Sequence, residues 1–213
     1  MHLTPAAVTF SPQYVSTTSA AKTFTLISTD LVTNIAIAAT GDFAVSATTC
    51  GTRLAPKSNC TIDVIFTPSA AGKRTGQLSV SDSIGNENPQ TQTASLTGTG
   101  VAAKVTLTPG AATYAKQGVG TTSAAKTFTL SNAGPTLNNI VISTTGDFAV
   151  SATTCGTSLG GRSASAVADA SVPSCTISVT FAPTDIGTRT GQLVVSDSAS
   201  DSPQTANLTG TGK

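Results

Sequence analysis

The feature of this 213-residue sequence that most constrains its fold is an internal repeat. The run TSAAKTFTL occupies positions 18–26 and again 122–130, and the run TGDFAVSATTC occupies 40–50 and again 145–155. Further on, CTIDVIFTP and RTGQLSVSDS are matched by CTISVTFAP and RTGQLVVSDS in the second half. Because a pattern written twice specifies one folding unit twice, we predict two domains, 1–100 and 101–213.

The register of the repeat indicates what the chain represents. The motif Leu-Thr-Pro stands at 3–5 and again at 107–109, and both halves close on LTGTG. We therefore expect two complete units of a tandem array. No segment has the pattern of a signal peptide or of an anchor, so we expect either a fragment of a mature protein or an expression product.

Apolar and polar residues alternate within each half, which is the pattern of a strand with one buried face. Cys60, Ile62, Val64 and Phe66 form one such face, and the second half repeats it at 175–181. Turn-forming residues separate these segments, and about seven strands per about 100 residues favour an immunoglobulin-type sandwich. The predicted fold class is all-β, with two tandem immunoglobulin-like β-sandwich domains. A small barrel is the alternative.

Taken together, the repeated motifs resemble a known family. They are GDF-x6-C-G-T-x-L, C-T-I-x-V-x-F-x-P, G-x-R-T-G-x-L-x-V-S-D and L-x-G-T-G, in that order in both halves. This spacing resembles the bacterial choice-of-anchor D repeat, a relative of the ASPM and Hydin immunoglobulin-like domains and of the PapD-like sandwich. The resemblance implies secreted or surface-displayed tandem modules, often joined to a variable membrane or wall anchor.

The four cysteines are Cys50, Cys60, Cys155 and Cys175, and they allow three pairings. Since each repeat should fold by itself, we predict the disulfides Cys50–Cys60 and Cys155–Cys175. Disulfides place a protein in an oxidising compartment, so we expect an extracellular or cell-surface location. Two alternatives are free thiols in a cytosolic protein and a zinc site, although the pairs lack C-x2-C spacing and a supporting histidine.

The two loops that these cysteines would close differ in length. The second is 20 positions long against 10 for the first, and the added stretch, 160–174, is rich in Gly, Ser and Ala. Doubling a flexible loop costs only about 0.6 kcal/mol, so the insertion is easily accommodated. We expect a functionally silent loop, with a contact loop as the alternative.

The sequence offers little for catalysis. Its only histidine is His2, in the N-terminal segment, so we expect no catalytic Ser-His or Cys-His pair. The carboxylates mostly recur at equivalent positions, Asp42 with Asp147 and Asp82 with Asp197, as expected of a turn that each unit needs. We predict that the chain is not an enzyme and has no catalytic residue, bound metal or cofactor.

Three further motifs have both a functional and a structural interpretation, and we favour the structural one for each. One group of oxygen-bearing residues could bind Ca²⁺ or could stabilise turns: Asp82, Glu87, Asn88, Asp197 and Asp201. Lys22 and Lys126 could form internal isopeptide bonds, or could extend from the sheet edge into water. The glycine-rich stretch 98–100 lacks the lysine and helix of a phosphate loop, and we expect it to articulate the two domains.

Composition excludes two classes of partner. Only 10% of the residues are charged and the net charge is +1, so we expect no nucleic-acid binding. No apolar run approaches the roughly 18 residues needed to cross a bilayer, so we expect no direct membrane insertion.

We predict a non-catalytic structural or adhesive module of an extracellular or cell-surface assembly. Its tandem repeats would serve as building blocks of a fibre or filament, or as a spacer, through homotypic contacts or contacts between adjacent repeats; the ligand is unknown. One alternative is a polysaccharide-binding module accessory to a secreted enzyme, and another is an intracellular scaffold. Sugar binding generally needs an exposed aromatic ring, for which only Tyr14 and Tyr114 remain once most Phe residues are assigned to the core.

Overall fold

The structure is a computed structural model that describes residues 1–83, 90–166 and 171–213. Two compact units divide the chain, Met1–Ala102 and Ala103–Lys213. All regular secondary structure in the described residues is β-strand. The same residues contain no helix long and apolar enough to span a membrane.

The first unit contains ten strands in its described residues. They are β1 (His2–Thr4), β2 (Ala7–Thr9), β3 (Gln13–Tyr14), β4 (Lys22–Ser28), β5 (Val32–Ala39), β6 (Phe43–Thr48), β7 (Arg53–Leu54), β8 (Ser58–Phe66), β9 (Gly72–Ser83) and β10 (Gln90–Val101). One sheet has the order β1-β4-β8-β6, and the other has the order β2-β10-β9-β5-β7 with β3 also paired to β10. The two sheets form an immunoglobulin-like sandwich, which confirms the predicted fold class.

The second unit repeats this arrangement. Its strands are β11 (Val105–Thr108), β12 (Ala111–Thr113), β13 (Lys126–Asn132), β14 (Leu137–Asn138), β15 (Val141–Thr144), β16 (Phe148–Thr153), β17 (Ser158–Leu159), β18 (Ser174–Phe181), β19 (Gly187–Ser196) and β20 (Gln204–Gly212). The sheets have the orders β11-β13-β18-β16 and β12-β20-β19-β15, and β14 pairs with β17.

In both units the first segment of the chain changes sheets. β1 pairs antiparallel with β4, whereas β2 pairs parallel with β10 in the opposite sheet. Pro5 stands between them and has no N–H to contribute to a ladder, which suits the crossing point. Pro109 stands at the same place between β11 and β12, so one segment ties the two layers of each unit together.

The core of each unit lies between its sheets and follows the predicted alternation. Ile62, Val64 and Phe66 on β8 are fully buried, and their neighbours in sequence are not. The rings of Phe43 and Phe66 stack with centroids 4.9 Å apart, and Phe10 packs against both. Tyr114, Phe148 and Phe181 form the equivalent cluster in the second unit.

The expectation that the glycines at 98–100 articulate the domains is wrong. Gly98 and Gly100 lie inside β10, paired with Arg74 and Gly72 of β9. A Cβ atom at Gly98 would stand 2.6 Å from the ring of Phe66, so the residue must lack a side chain for the ring to pack there. Gly210 makes the same approach to Phe181, at 2.5 Å. The repeated glycines therefore serve core packing.

Gly210→Ala should destabilise the second unit by about 1–3 kcal/mol, the usual cost of overpacking a core. Gly110→Ala in the same unit is the matched control, because no atom beyond its two chain neighbours lies within 4 Å of its added Cβ. Urea denaturation of the full chain measures both. Equal stability of the two variants would contradict the packing role of Gly210.

Candidate functional site

The structure pairs the cysteines within each unit. Cys50 and Cys60 form a disulfide with a Cα–Cα distance of 5.0 Å, and Cys155 and Cys175 form the second with the same distance. None of the four is free. Each bond therefore closes a loop inside its own unit.

Each disulfide joins neighbouring strands of one sheet. β6 is the outer strand of its sheet and pairs with β8 up to Thr48 and Ile62. Cys50 follows the end of β6, and Cys60 lies on β8, so the bond clamps the outer strand at the point where its ladder ends. The disulfide of antibody domains instead crosses between sheets. The clamp matters here because β6 has a neighbour on one side only.

The longer cysteine loop of the second unit packs on a buried amide. Asn132 is 0% exposed, and its Nδ2 donates to the carbonyl oxygens of Pro135 at 2.7 Å and Gly160 at 3.0 Å. Its Oδ1 accepts from the N–H of Gly134 at 2.9 Å. The beginning of the 160–174 insertion is therefore anchored. Positions 167–170 lie outside the described residues.

An ion pair recurs in both units and uses the carboxylate of the GDF motif. Asp42 accepts from the guanidinium of Arg74 and from the N–H of Ser69 at 3.1 Å. In the second unit Asp147 accepts from Arg189 and from the N–H of Thr184 at 3.1 Å. Each ion pair connects the turn before the outer strand to the start of β9 or β19. The N–H of Ser69 or Thr184 adds a contact to the turn that precedes that strand.

These contacts favour the charged carboxylate. The hydrogen bond from Arg74, followed by that from the Ser69 N–H, lowers the pKa of Asp42 from 3.8 to about 2. Arg189 and then the Thr184 N–H lower the pKa of Asp147 to about 2 in the same way. Both carboxylates are thus committed to holding turns, as the sequence predicted for residues that appear once per unit.

The expected acidic cluster is only partly described in the first unit. Asp82 is 2% exposed, and its Oδ1 accepts from the N–H of Gln90 at 3.2 Å, which joins the end of β9 to the start of β10. Glu87 and Asn88 lie outside the described residues. The described part of this cluster therefore consists of one buried carboxylate that braces a hairpin.

The two carboxylates of this cluster in the second unit also accept from backbone N–H groups. Asp197 accepts from the N–H of Ala199 at 2.8 Å, within the turn that follows β19. Asp201 accepts from the N–H of Val105 at 3.3 Å. Within the described ranges, no three His, Cys, Asp or Glu side chains are grouped so that they could hold a metal ion.

A groove opens at the same place in each unit, beside the repeated Ser-Ala-Ala-Lys segment. In the first unit it measures about 290 Å³ and is lined by Phe10, Ser11, Gln13, Ser19, Ala20, Ala21 and Lys22. In the second it measures about 660 Å³ and is lined by Thr113, Tyr114, Ala115, Gln117, Ser123, Ala124, Ala125 and Lys126. In the first unit the groove opens where β4 extends past β1, because β1 pairs only with positions 25–27 of β4.

Each groove is lined by small and polar residues, by one aromatic residue and by one charged residue, Lys22 or Lys126. Gln117 donates to Thr121 Oγ1 at 2.6 Å, so its amide is engaged inside the unit. Lys126 Nζ lies 5.7 Å from the centroid of the Tyr114 ring, a cation–π distance. Lys126 and its equivalent Lys22 are exposed, as the structural interpretation of these lysines expected.

Every aromatic side chain of the sequence is buried. All seven Phe and both Tyr lie in the described residues and are at most 7% exposed, the largest value belonging to Tyr14. Tyr114 is 4% exposed, and its hydroxyl donates to the Val179 carbonyl at 2.7 Å. Burial raises the pKa of Tyr114 to about 12. Neither tyrosine presents a ring face on which a sugar could stack.

Comparison with known proteins leaves the family open. No family model matches the chain, and no curated protein matches it. Among solved structures, PapD-like domain 7 of human CEP192 is 16% identical, with a TM-score of 0.39 over 52% of this chain and 85% of that one. The E. coli chaperone DraB is 14% identical, with a TM-score of 0.34 over 98% and 96%.

An enzyme also occurs among the matched structures. The endo-fucoidan hydrolase MfFcnA4 of glycoside hydrolase family 107 is 14% identical, with a TM-score of 0.32, and the match covers 98% of this chain and 27% of that one. The present chain thus spans about a quarter of that protein. All three TM-scores are below 0.5, so the fold assignment rests on the strand pairing described above.

Removing either disulfide should destabilise its own unit. In the chain-entropy description, loops of 10 and 20 positions contribute about 3 kcal/mol each, the longer slightly more. We expect C50A/C60A and C155A/C175A each to lower the unfolding free energy of one unit, measured by urea denaturation. Peptide mapping without reduction should recover both intra-unit pairs, and free thiols or cross-unit pairs would contradict the assignment.

Acid should weaken both units through the repeated ion pairs. The pKa of Asp42 and Asp147 is about 2 in the folded chain against 3.8 for an ordinary carboxyl. Their stabilisation is therefore complete above pH 3.8 and disappears as the pH falls toward about 2. In the variant D42N/D147N, the melting temperature should be a few degrees lower at pH 6 and should fall less steeply in this window.

The partner residues provide the control for this prediction. R74Q/R189Q should reproduce the flatter acid dependence, and combining all four substitutions should add little further loss. Additive losses would show that the aspartates act independently of the arginines.

Proposed function

We propose that the chain is a non-catalytic structural and adhesive module of an extracellular or cell-surface assembly. In this proposal its tandem units act as building blocks of a fibre or filament, or as a spacer. The observation that carries it is that the side chains repeated in both units are used to build the units themselves. Repeated cysteines form disulfides, repeated aspartates hold arginines, and repeated glycines accommodate rings.

The use of the reactive groups also argues against catalysis. Both carboxylates with a strongly lowered pKa are engaged by an arginine and a backbone N–H, and the cysteines are oxidised. A general base or nucleophile needs a group that is available to substrate. Among the described residues, these aspartates and cysteines are therefore engaged in structure.

The extracellular location rests on the disulfides. Bonds of this kind persist in oxidising compartments and are rare in the cytosol. The motif spacing of the two halves supports membership of the choice-of-anchor D repeats, whose tandem modules are displayed on surfaces. Both considerations favour the surface module over an intracellular scaffold.

The surface module is also favoured over the polysaccharide-binding alternative. Carbohydrate sites generally stack the sugar on an aromatic face, and all nine aromatic side chains of this chain are buried. Thr, Ser and Ala dominate the exposed strand positions instead. Such a surface suits contact with another protein better than stacking on a sugar ring.

Homotypic contact is supported by the character of the outer strands. β6 and β16 both read FAVSAT and carry no charge, and their residues 46–48 and 151–153 are exposed. Natural sheets usually protect such edges with Lys, Pro or a bulge. These strands have a bulge, at 45–47 and at 150–152, but neither a charged residue nor Pro, so they are only partly protected. Val141 on the outer strand β15 is 63% exposed as well.

We expect the chain to associate with itself at high concentration, with the outer strands in contact. A47K/A152K should abolish this association, because a lysine on each outer strand opposes strand pairing. T127K is the matched control, since Thr127 is exposed on β13, an inner strand of the same sheet as β16. Sedimentation velocity over a concentration series and electron microscopy measure the effect.

Each outcome distinguishes between functions. A wild-type chain that stays monomeric throughout would leave only the spacer. Association that T127K disrupts as strongly as A47K/A152K would contradict contact through the outer strands. Specific binding on a glycan array would favour the polysaccharide-binding alternative.

A further inference from the structure

We infer that each unit is built to bear tension along the chain, because its first and last segments are clamped side by side in parallel. This inference deepens the proposed function, on which its biological role rests: it assigns the fibre or spacer a mechanical duty. The pairing of the terminal strands carries it. We call this pairing the terminal seam, formed by β2 and β3 with β10 in the first unit and by β12 and Gln117 with β20 in the second.

The terminal seam is parallel in both units. Ala7, Val8 and Thr9 of β2 pair in parallel with Ser95, Leu96 and Thr97 of β10. β3 continues in the same direction along positions 100–101. In the second unit β12 pairs in parallel with β20, and Gln117 forms a parallel bridge with Gly212.

Parallel pairing fixes how a pulling force acts on the bonds. Tension in the chain enters each unit through its first segment and leaves through its last strand. When those two strands are parallel, the entry and exit points lie at opposite ends of the seam. The strands must then slide past each other, and all the bonds between them resist together. An antiparallel pair would be pulled from one end, and its bonds would open one at a time.

Several hydrogen bonds cross the terminal seam of the first unit. Backbone hydrogen bonds join the Ser95 N–H to the Ala6 carbonyl at 2.9 Å, and the Phe10 N–H to the Thr97 carbonyl at 2.7 Å. A third joins the N–H of residue 15 to the carbonyl of residue 101 at 2.9 Å. The hydroxyls of Thr9 and Thr97 add a side-chain bond of 2.9 Å on the outer face.

The seam of the second unit repeats and extends this set. The Tyr114 N–H donates to the Thr209 carbonyl at 2.7 Å, and Thr209 Oγ1 donates to Thr113 Oγ1 at 2.9 Å. Gln117 donates its N–H to the Thr211 carbonyl and accepts from the Lys213 N–H, both at 2.9 Å. The recurrence of one seam in two units with different loops indicates that it is a property of the repeat.

The side chains of the seam anchor it to the core. Leu96 and Leu208 on the last strands are fully buried, and Phe10 and Tyr114 follow β2 and β12 into the aromatic clusters. Sliding the strands therefore also requires moving core side chains. Resistance to force is governed by the unfolding rate under load rather than by equilibrium stability, so it is the geometry of the seam that sets it.

The disulfides lie outside the terminal seam. They prevent the loops that they close from extending when the seam opens. Once a seam yields, the loops closed by Cys50–Cys60 and Cys155–Cys175 stay folded back until the bonds are reduced. An extended residue spans about 3.5 Å, the cysteines are 10 and 20 positions apart, and each disulfide already spans 5.0 Å between Cα atoms. Reduction should therefore lengthen the opened first unit by about 30 Å and the opened second unit by about 65 Å. These unequal increments identify which unit has opened.

The test is single-molecule force spectroscopy on the full chain held by its two ends. We expect two separate high-force events, each lengthened on reduction by its own increment. The control changes only the direction of force: the chain is held by its N-terminus and by T93C, an exposed position two residues before Ser95. Both attachments then lie at the same end of the first seam, so β2 should peel from β10 at a force several-fold lower.

The outcomes separate this inference from the proposed function. An N-terminus-to-T93C force equal to or above the end-to-end force would overturn the mechanical inference, and urea denaturation of T93C excludes loss of stability as the cause of a low force. A strong seam in a chain that never associates would leave the mechanical inference intact and reduce the proposed function to the spacer. Association of a chain whose end-to-end unfolding events occur at low force would overturn the mechanical inference and leave the proposed function intact.

Discussion

The structure of each unit depends on the contact between a phenylalanine ring and a glycine backbone. Phe66 lies against Gly98, and Phe181 lies against Gly210, at distances that leave no room for a Cβ atom. The ring occupies the middle of the sandwich, where it also stacks on Phe43 or Phe148. Because β10 and β20 come so close to it, the last strand lies over the core and offers its other edge to β2 or β12. The aromatic cluster and the terminal seam of each unit thus meet on the same strand.

The parts of the fold that depend on residues close in sequence could be predicted from the sequence. Alternation at 60–66 predicted a strand and its buried face, since side chains point to opposite sides with period two. The repeat predicted two units. The role of Gly98 was not predictable in this way, because it depends on Phe66, which is distant in sequence. Glycine between polar residues is typical of a linker, and only the sheet shows that Arg74 is its neighbour.

The candidate site shows the same division between local and distant information. The pairing Cys50–Cys60 followed from the economy of a repeat, because its two members are close in sequence. The partner of Asp42 could not be assigned, although both Asp42 and Arg74 belong to repeated motifs, since a motif does not state which motif it contacts. The burial of Tyr14 and Tyr114 likewise depends on where the first segment crosses between the sheets. The signal that could have indicated it is the equivalence of Tyr114 with Phe10, a core residue.

The identical sequences of β6 and β16 affect how the chain folds during its synthesis. Both strands read FAVSAT, and their partners β8 and β18 have similar sequences. The unfolded chain therefore contains two interchangeable copies of the same outer strand. At about 5–20 residues emerging per second, the first copy leaves the ribosome many seconds before the second exists. All-β domains fold in milliseconds to seconds, so vectorial synthesis lets the first unit close before a competitor arrives. Refolding the denatured chain in a test tube removes that protection and makes strand exchange between the units a competing route.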